Sequence, residues 1–396
     1  MLRRVVGPLI LFALPVIMLL VAVYAPSALP AGMDFSALYN TNLALVHGVP
    51  IYDLEAVESL AVQASGIPPD KFFLARFPYP PWYALSTFYL GFLPAQTAAT
   101  LWFEMNLVML LLSVWFLTDG LSGRLRLVAF PLALLFFPVL GALSVGQYDF
   151  PVLLGTSLLI YSLRRENVAL TALGAALLTF KPHVGALILL SALIHLITSR
   201  NKFVRRAMRS VLMAGVVLFA VGFLADSAWI ISYPAMLLNY QGEGNVSSCS
   251  ECASLPVFLS RWFFDGSLSK AALIALGLLI LLTGIFFARR NALLRSHELF
   301  LTSALLITLL ISPYLYNYDF VLLLIPFAVL AARGGMAQKI FMLIGYLVPT
   351  FAILLLGRDG NVSLLVVTIF LAFLLFVQAG NSGIDVPAHA AYNTSN

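Results

Sequence analysis

Few residues in this chain can do chemistry, and most of them sit in short polar strings between long apolar runs. Asp34, in GMDFSALYNTNLALVHG, is the first. A carboxylate just outside an apolar span suits a general base that takes the proton of an acceptor hydroxyl. An Asp ahead of a helical pattern over 35–46 equally suits an N-cap. The following string is dense in residue types that bind sugars: Tyr39, Asn40, Asn42, His47, Tyr52 and Asp53. HGVPIYD reads just as well as a helix end, a turn and an anchored interfacial Tyr. Arg76 then precedes FPYPP (77–81), whose prolines make a rigid extended lead-in. Arg76 suits an anionic head group or a carboxylate of its own loop.

Further polar strings come later. SVGQYD (144–149) places Gln147, Tyr148 and Asp149 in a turn, and polar groups at membrane depth usually face a cavity or a partner. TFKPH (179–183) follows an apolar stretch of only about 14 residues, which at 1.5 Å each covers about 21 Å of a roughly 30 Å hydrocarbon layer. Lys181 and His183 therefore fall below the interface, at a break set by Pro182. A cation there suits the phosphate of a lipid carrier, or else Lys181 snorkels to the surface. SPYLYNYD (312–319) adds Tyr316, Asn317 and Asp319. Glu104 and Asn106 lie inside an apolar stretch and face either the same cavity or a neighbouring helix. Cys249 and Cys252, in SCSEC, are too few for a metal site and suit a local disulfide outside the cytoplasm. The sequence contains no Gly-rich phosphate loop, GxSxG or HExxH, and the remaining histidines form no metal set.

The elements that must position these groups are membrane helices. Hydrophobic types make up 61% of the 396 residues and charged types 10%, with a mean hydropathy of +0.99. That excludes a water-soluble enzyme, and long apolar runs without alternation exclude a β-barrel. The net charge of +5 is what cytoplasmic Lys and Arg produce and does not point to nucleic acid. Twelve spans are expected: 5–25, 98–118, 127–141, 149–163, 167–180, 184–198, 209–227, 271–288, 297–312, 319–332, 339–356 and 361–378. The first is too long for the usual signal peptide and reads as an anchor. Segment 79–94 is short and Pro-broken, and reads as re-entrant or juxtamembrane.

Charge supports that choice. If 79–94 does not cross and the N-terminus is cytoplasmic, 16 of the 22 Lys and Arg face the cytoplasm and 12 of the 17 Asp and Glu face outward. Both termini are then cytoplasmic, and the polar chemistry lies on the outer face of a plasma or inner membrane. One transmembrane domain over 1–396 is expected. It has a first outer loop at 26–97, a second at 228–270 and a short cytoplasmic tail at 379–396.

The ordered set DF…Y…HGVPIYD, FPYPP, LW…N, GQYD, KPH and SPY…YD resembles glycosyltransferase family 87, over about residues 30–330. That family contains polyprenol-phosphate-mannose-dependent α-1,2-mannosyltransferases of the GT-C superfamily. The resemblance implies an all-helical GT-C fold and a sugar, mannose first, passed from a polyprenyl-phosphate donor to a glycolipid or glycan acceptor with inversion. It implies Asp34 as catalytic base and Lys181 as a donor-phosphate contact, with His183 or Arg76 assisting. Gln147 and Asp149 would line the donor pocket. No cofactor or metal is expected. A transporter or flippase is the rival reading, and would place polar residues at the bilayer midplane in matched halves.

Overall fold

The computed structural model describes residues 34–198, 202–238, 252–264, 275–278, 296–312 and 315–381. The expected span 5–25, most of 271–288 and the end of the tail lie outside the described residues. Among the described residues the structure is helical, with one isolated β-bridge between Cys252 and Tyr316.

Three short elements precede the first long helix. These are α1 (Asp34–Val46), α2 (Leu54–Ser65) and α3 (Pro81–Ser86), the last followed by a 3-10 turn, Phe88–Phe92. At 1.5 Å per residue α3 rises about 9 Å, far short of a bilayer. Segment 79–94 is thus in pieces too short to cross. It packs on α1 instead: a Cβ on Gly91 would stand 2.3 Å from the Asn42 carbonyl oxygen.

The remaining helices are α4 (Ala95–Leu117), α5 (Gly123–Leu135), α6 (Phe137–Val145), α7 (Asp149–Arg165), α8 (Val168–Leu178), α9 (Pro182–Thr198), α10 (Lys202–Ala225), α11 (Trp229–Leu238), α12 (Leu255–Phe263), α13 (His297–Ile311), α14 (Leu324–Arg333), α15 (Met336–Leu356) and α16 (Val362–Asn381). Helix α7 is the centre. Every residue from Asp149 to Ile160 is buried, which is the pattern of a helix surrounded by others. Helices α4, α8 and α13 flank it. It crosses α8 at Gly155 and Gly174, where a Cβ on either would stand 2.8 or 2.7 Å from the other's carbonyl oxygen. Small residues let two backbones approach closely, and in lipid that packing replaces the hydrophobic drive.

The outer helices turn apolar side chains outward, as Leu212, Val216 and Leu224 do on α10 and Phe341, Leu354 and Leu355 on α15. This surface fits lipid, and the chain is a membrane protein. Among the described residues three stretches are long and apolar enough to cross: α4, α10 and the run Met336–Leu375. The bent pair α5–α6, with 59° between its halves, would make a fourth. The third stretch is a hairpin and not a rod. Gln338 Nε2 bonds Leu374 O at 3.5 Å, a Cβ on Gly345 would meet Val367, and one on Gly360 would meet Ala352. The twelve spans expected from hydropathy are not shown among the described residues. Prolines and polar turns cut the apolar runs into helices such as α8 (11 residues) and α13 (15 residues), shorter than the about 20 that a crossing needs.

Charged side chains gather at the two ends of the bundle. At one end Glu298 takes Arg164 at 2.5 Å and Arg333 at 2.6 Å, while Arg165 takes Asp119 at 2.9 Å. The other end holds Asp34, Asp149, Lys181 and Asp319. Each end thus holds residues of both signs, paired with one another.

Candidate active site

Helix α6 ends at Gly146, whose φ of 71° is left-handed and favours glycine. A Cβ there would also stand 2.7 Å from Phe35 Cβ, so α1 can approach only because this residue is glycine. The turn after it is held from α4. Trp102 Nε1 donates to Gly146 O at 2.8 Å, and Asn106 Nδ2 to Gln147 O at 3.3 Å. Residues four apart share a helix face, so both reach the same turn. Glu104, between them, points the other way and is exposed.

From this fixed turn three consecutive side chains reach the two charged groups. Gln147 Nε2 donates to Asp34 Oδ2 at 2.7 Å, and Gln147 Oε1 accepts from the Tyr148 N–H at 2.8 Å. Both ends of the amide are thus used, which fixes its orientation. The Tyr148 hydroxyl donates to the Asp34 carbonyl oxygen. Asp149 Oδ1 accepts from Lys181 Nζ at 2.7 Å. Two residues of extended chain span at most about 7 Å, so the contacts to Asp34 and to Lys181 leave the backbone close together.

Lys181 is held on a second side by Asp319 Oδ1, and Asp319 Oδ2 accepts from the Tyr316 N–H at 2.6 Å. Lys181 is 2% exposed, Asp149 0% and Asp319 1%. Asp149 Oδ2 is buried and has no hydrogen-bond partner among the described residues. Two of the three ammonium N–H bonds therefore go to carboxylates. The cluster carries one more acidic than basic group.

His183 and Arg76 differ from Lys181 in being exposed. The His183 ring lies 6.4 Å from that of Tyr79, in an aromatic group where Tyr79 and Tyr148 are 4.8 Å apart and Tyr83 stacks on Phe180 at 4.6 Å. Arg76 leads directly into this group through Phe77, 6.1 Å from Tyr148.

Other expected site residues are placed elsewhere. Asp53 is exposed and caps α2, accepting from the Ala56 N–H at 3.2 Å. Tyr52 is buried and donates to Tyr79 O at 2.8 Å; burial pushes its phenol up, so it stays a neutral donor. Tyr39 donates to Leu93 O at 2.9 Å, Asn42 to Thr87 at 3.1 Å, and His47 contacts Leu43 O at 2.8 Å. Each of these side chains ties the first loop to itself. Asn40 is buried within α1. Tyr316 stacks on Tyr318 at 5.1 Å, and Asn317 donates to Asn361 at 3.4 Å, joining the site turn to the tip of the α15–α16 hairpin. Cys252 is disulfide-bonded, and Cys249 lies outside the described residues. The Ala253 N–H donates to Leu315 O at 3.0 Å, so the second loop is docked beside Asp319. Among the described residues no three His, Cys, Asp or Glu gather in a way that could hold a metal ion.

Sequence reasoning missed the aromatic group of Phe77, Tyr79 and Tyr83. The signal was present: FPYPPWY packs four aromatics into seven residues at the polar end.

An all-helical membrane protein with a carboxylate, an ion cluster and an aromatic wall at one end fits a membrane-embedded transferase. The sequence model of glycosyltransferase family 87 matches residues 77–313, more than half of the chain. The chain belongs to that family and is a membrane glycosyltransferase, consistent with the GT-C superfamily; its substrates are a sugar donor and an acceptor. The match is shorter than the motif set suggested: Asp34 precedes it and Asp319 follows it. No curated protein and no solved structure matches the chain.

Proposed function

We propose that the chain transfers a sugar, mannose first, from a polyprenyl-phosphate donor to a glycolipid or glycan acceptor at the outer face, with Asp34 as base. One observation carries this: the turn Gln147–Asp149 touches both Asp34 and Lys181. A base and a cationic region held by one turn match the two needs of a displacement at an anomeric carbon. The acceptor hydroxyl gives its proton to the Asp34 carboxylate as its oxygen bonds the anomeric carbon. The bond from that carbon to the phosphate oxygen breaks, and polyprenyl phosphate leaves from the opposite face. A single displacement inverts the centre, so a β-linked donor gives an α-glycoside.

The departing phosphate is met by exposed Arg76 and His183, with Lys181 behind them. Lys181 alone suits this poorly, because Asp149 and Asp319 already offset its charge. The polar end faces outward by the charge of the loops, with both termini cytoplasmic. The short helices then serve as spans through a bilayer thinned or filled by the protein around them.

The test is transfer in membranes from radiolabelled polyprenyl-phosphate mannose. Wild type labels a glycan or glycolipid, and Asp34→Asn loses about a hundredfold or more of the rate. Equal transfer by both would remove Asp34 from the mechanism. Label released as free lipid on the other membrane face, with no glycan formed, would favour a flippase.

A further inference from the structure

At the Arg164–Glu298 end, opposite Asp34, lies a half-open apolar cavity of about 140 Å³ between α4, α5, α14 and α15. Leu117, Leu121, Ala129, Ala133, Ala331 and Tyr346 form much of its wall. Tyr346 donates to Leu132 O at 2.6 Å and stacks on Phe136 at 5.4 Å, which pins α15 to α5 along one side of the cavity. An apolar cavity of about 150 Å³ stays dry and takes a benzene-sized ligand. This one therefore holds about six carbons of hydrocarbon and no ordered water. In a bilayer the hydrocarbon at hand is an acyl chain.

A cation stands beside it. Arg126 lies three residues before Ala129 and seven before Ala133, so the three share a helix face. Its guanidinium carbon is 3.3 Å from the Trp115 ring centroid, and Nη2 donates to Trp115 O at 2.7 Å. That stacking fixes the fork, on the helix face that carries Ala129 and Ala133 of the wall. Arg126 Nε is buried and has no hydrogen-bond partner among the described residues, and no ion pair there takes up its charge. With Nη2 on Trp115 O and Nε buried, the Nη1 end of the fork is the one that matches a phosphate.

We propose that this cavity binds one acyl chain of an anionic phospholipid, with the lipid phosphate on Arg126. The site is separate from the transfer chemistry, since its wall includes none of Asp34, Gln147, Asp149 and Lys181.

The test uses the full chain in nanodiscs carrying a photoreactive-acyl phosphatidylglycerol or the matching phosphatidylcholine, with cross-linked peptides read by mass spectrometry. Phosphatidylglycerol should label the α5 and α14 wall in preference to phosphatidylcholine. Arg126→Gln should lower that labelling about fivefold, the factor one cation contributes near an anionic head group, while Arg126→Lys keeps most of it. Ala133→Phe, which fills the cavity, should remove labelling by both lipids with an unchanged elution volume. Equal labelling by the two lipids, or labelling indifferent to Arg126→Gln, would overturn the proposal. So would displacement of the label by a polyprenyl phosphate, which would assign the cavity to the donor's tail.

Discussion

Gln147 Nε2 donates to Asp34 Oδ2 at 2.7 Å, joining two residues 113 positions apart. The bond orients a half-buried carboxylate towards the polar end and lowers its freedom to turn. Gln147→Leu should keep the fold and lower kcat about ten- to a hundredfold, the range for losing a hydrogen bond to a charged group. Steady-state kinetics with a polyprenyl-phosphate sugar would check this, and KM should change less than kcat. Gln147→Glu should be worse, because two carboxylates would then face each other.

Lys181 between Asp149 and Asp319 is a buried ion cluster. Removing its only cation leaves two carboxylates buried together. Lys181→Met should destabilise the protein by about 3–5 kcal/mol. Thermal unfolding of the detergent-solubilised chain would show the loss. Adding Asp149→Asn and Asp319→Asn to Lys181→Met should recover most of it. If the triple variant is no better than Lys181→Met, charge is not the cause.

Arg76 and His183 are exposed where Lys181 is not. Arg76→Gln should raise KM for the donor about tenfold with a smaller change in kcat, because it removes a charge-assisted contact to the phosphate. A donor analogue lacking the phosphate charge should bind wild type and variant alike.

The crossing of α7 and α8 depends on Gly155 and Gly174, each under 3 Å from the other's carbonyl oxygen were a Cβ added. Gly174→Ala should cost about 1–3 kcal/mol through overpacking, and Gly174→Leu more. Gly215, with open space around it, is the control and should be neutral.

The chemistry-bearing strings were legible because they are polar islands in apolar sequence. GQYD, KPH and YNYD all reach the site end. Their pairing was not legible: nothing in composition says that Lys181 meets carboxylates 32 and 138 residues away. Asp53 reads as a sugar ligand by type, yet its carboxylate accepts from the N–H three residues on and caps a helix. By its neighbours Glu104 reads equally as facing the cavity or a neighbouring helix, and the 3.6-residue period sends it to the opposite side from Trp102 and Asn106. Hydropathy marked apolar runs without registering where prolines and polar turns shorten a helix, so run length alone did not show which helices are long enough to cross. The Asn317–Asn361 bond places the α15–α16 tip at the site, although that hairpin carries none of the motifs.

Helix α7 has Asp149 at one end and Arg164 and Arg165 at the other, each locked into its own ion cluster. Its 17 residues make a rod of about 25 Å. With both ends bolted, α7 cannot slide along its own axis without breaking the cluster at one end or the other. It acts as a strut, and the turn Gln147–Asp149 stands at a fixed height above the Arg164–Glu298 end.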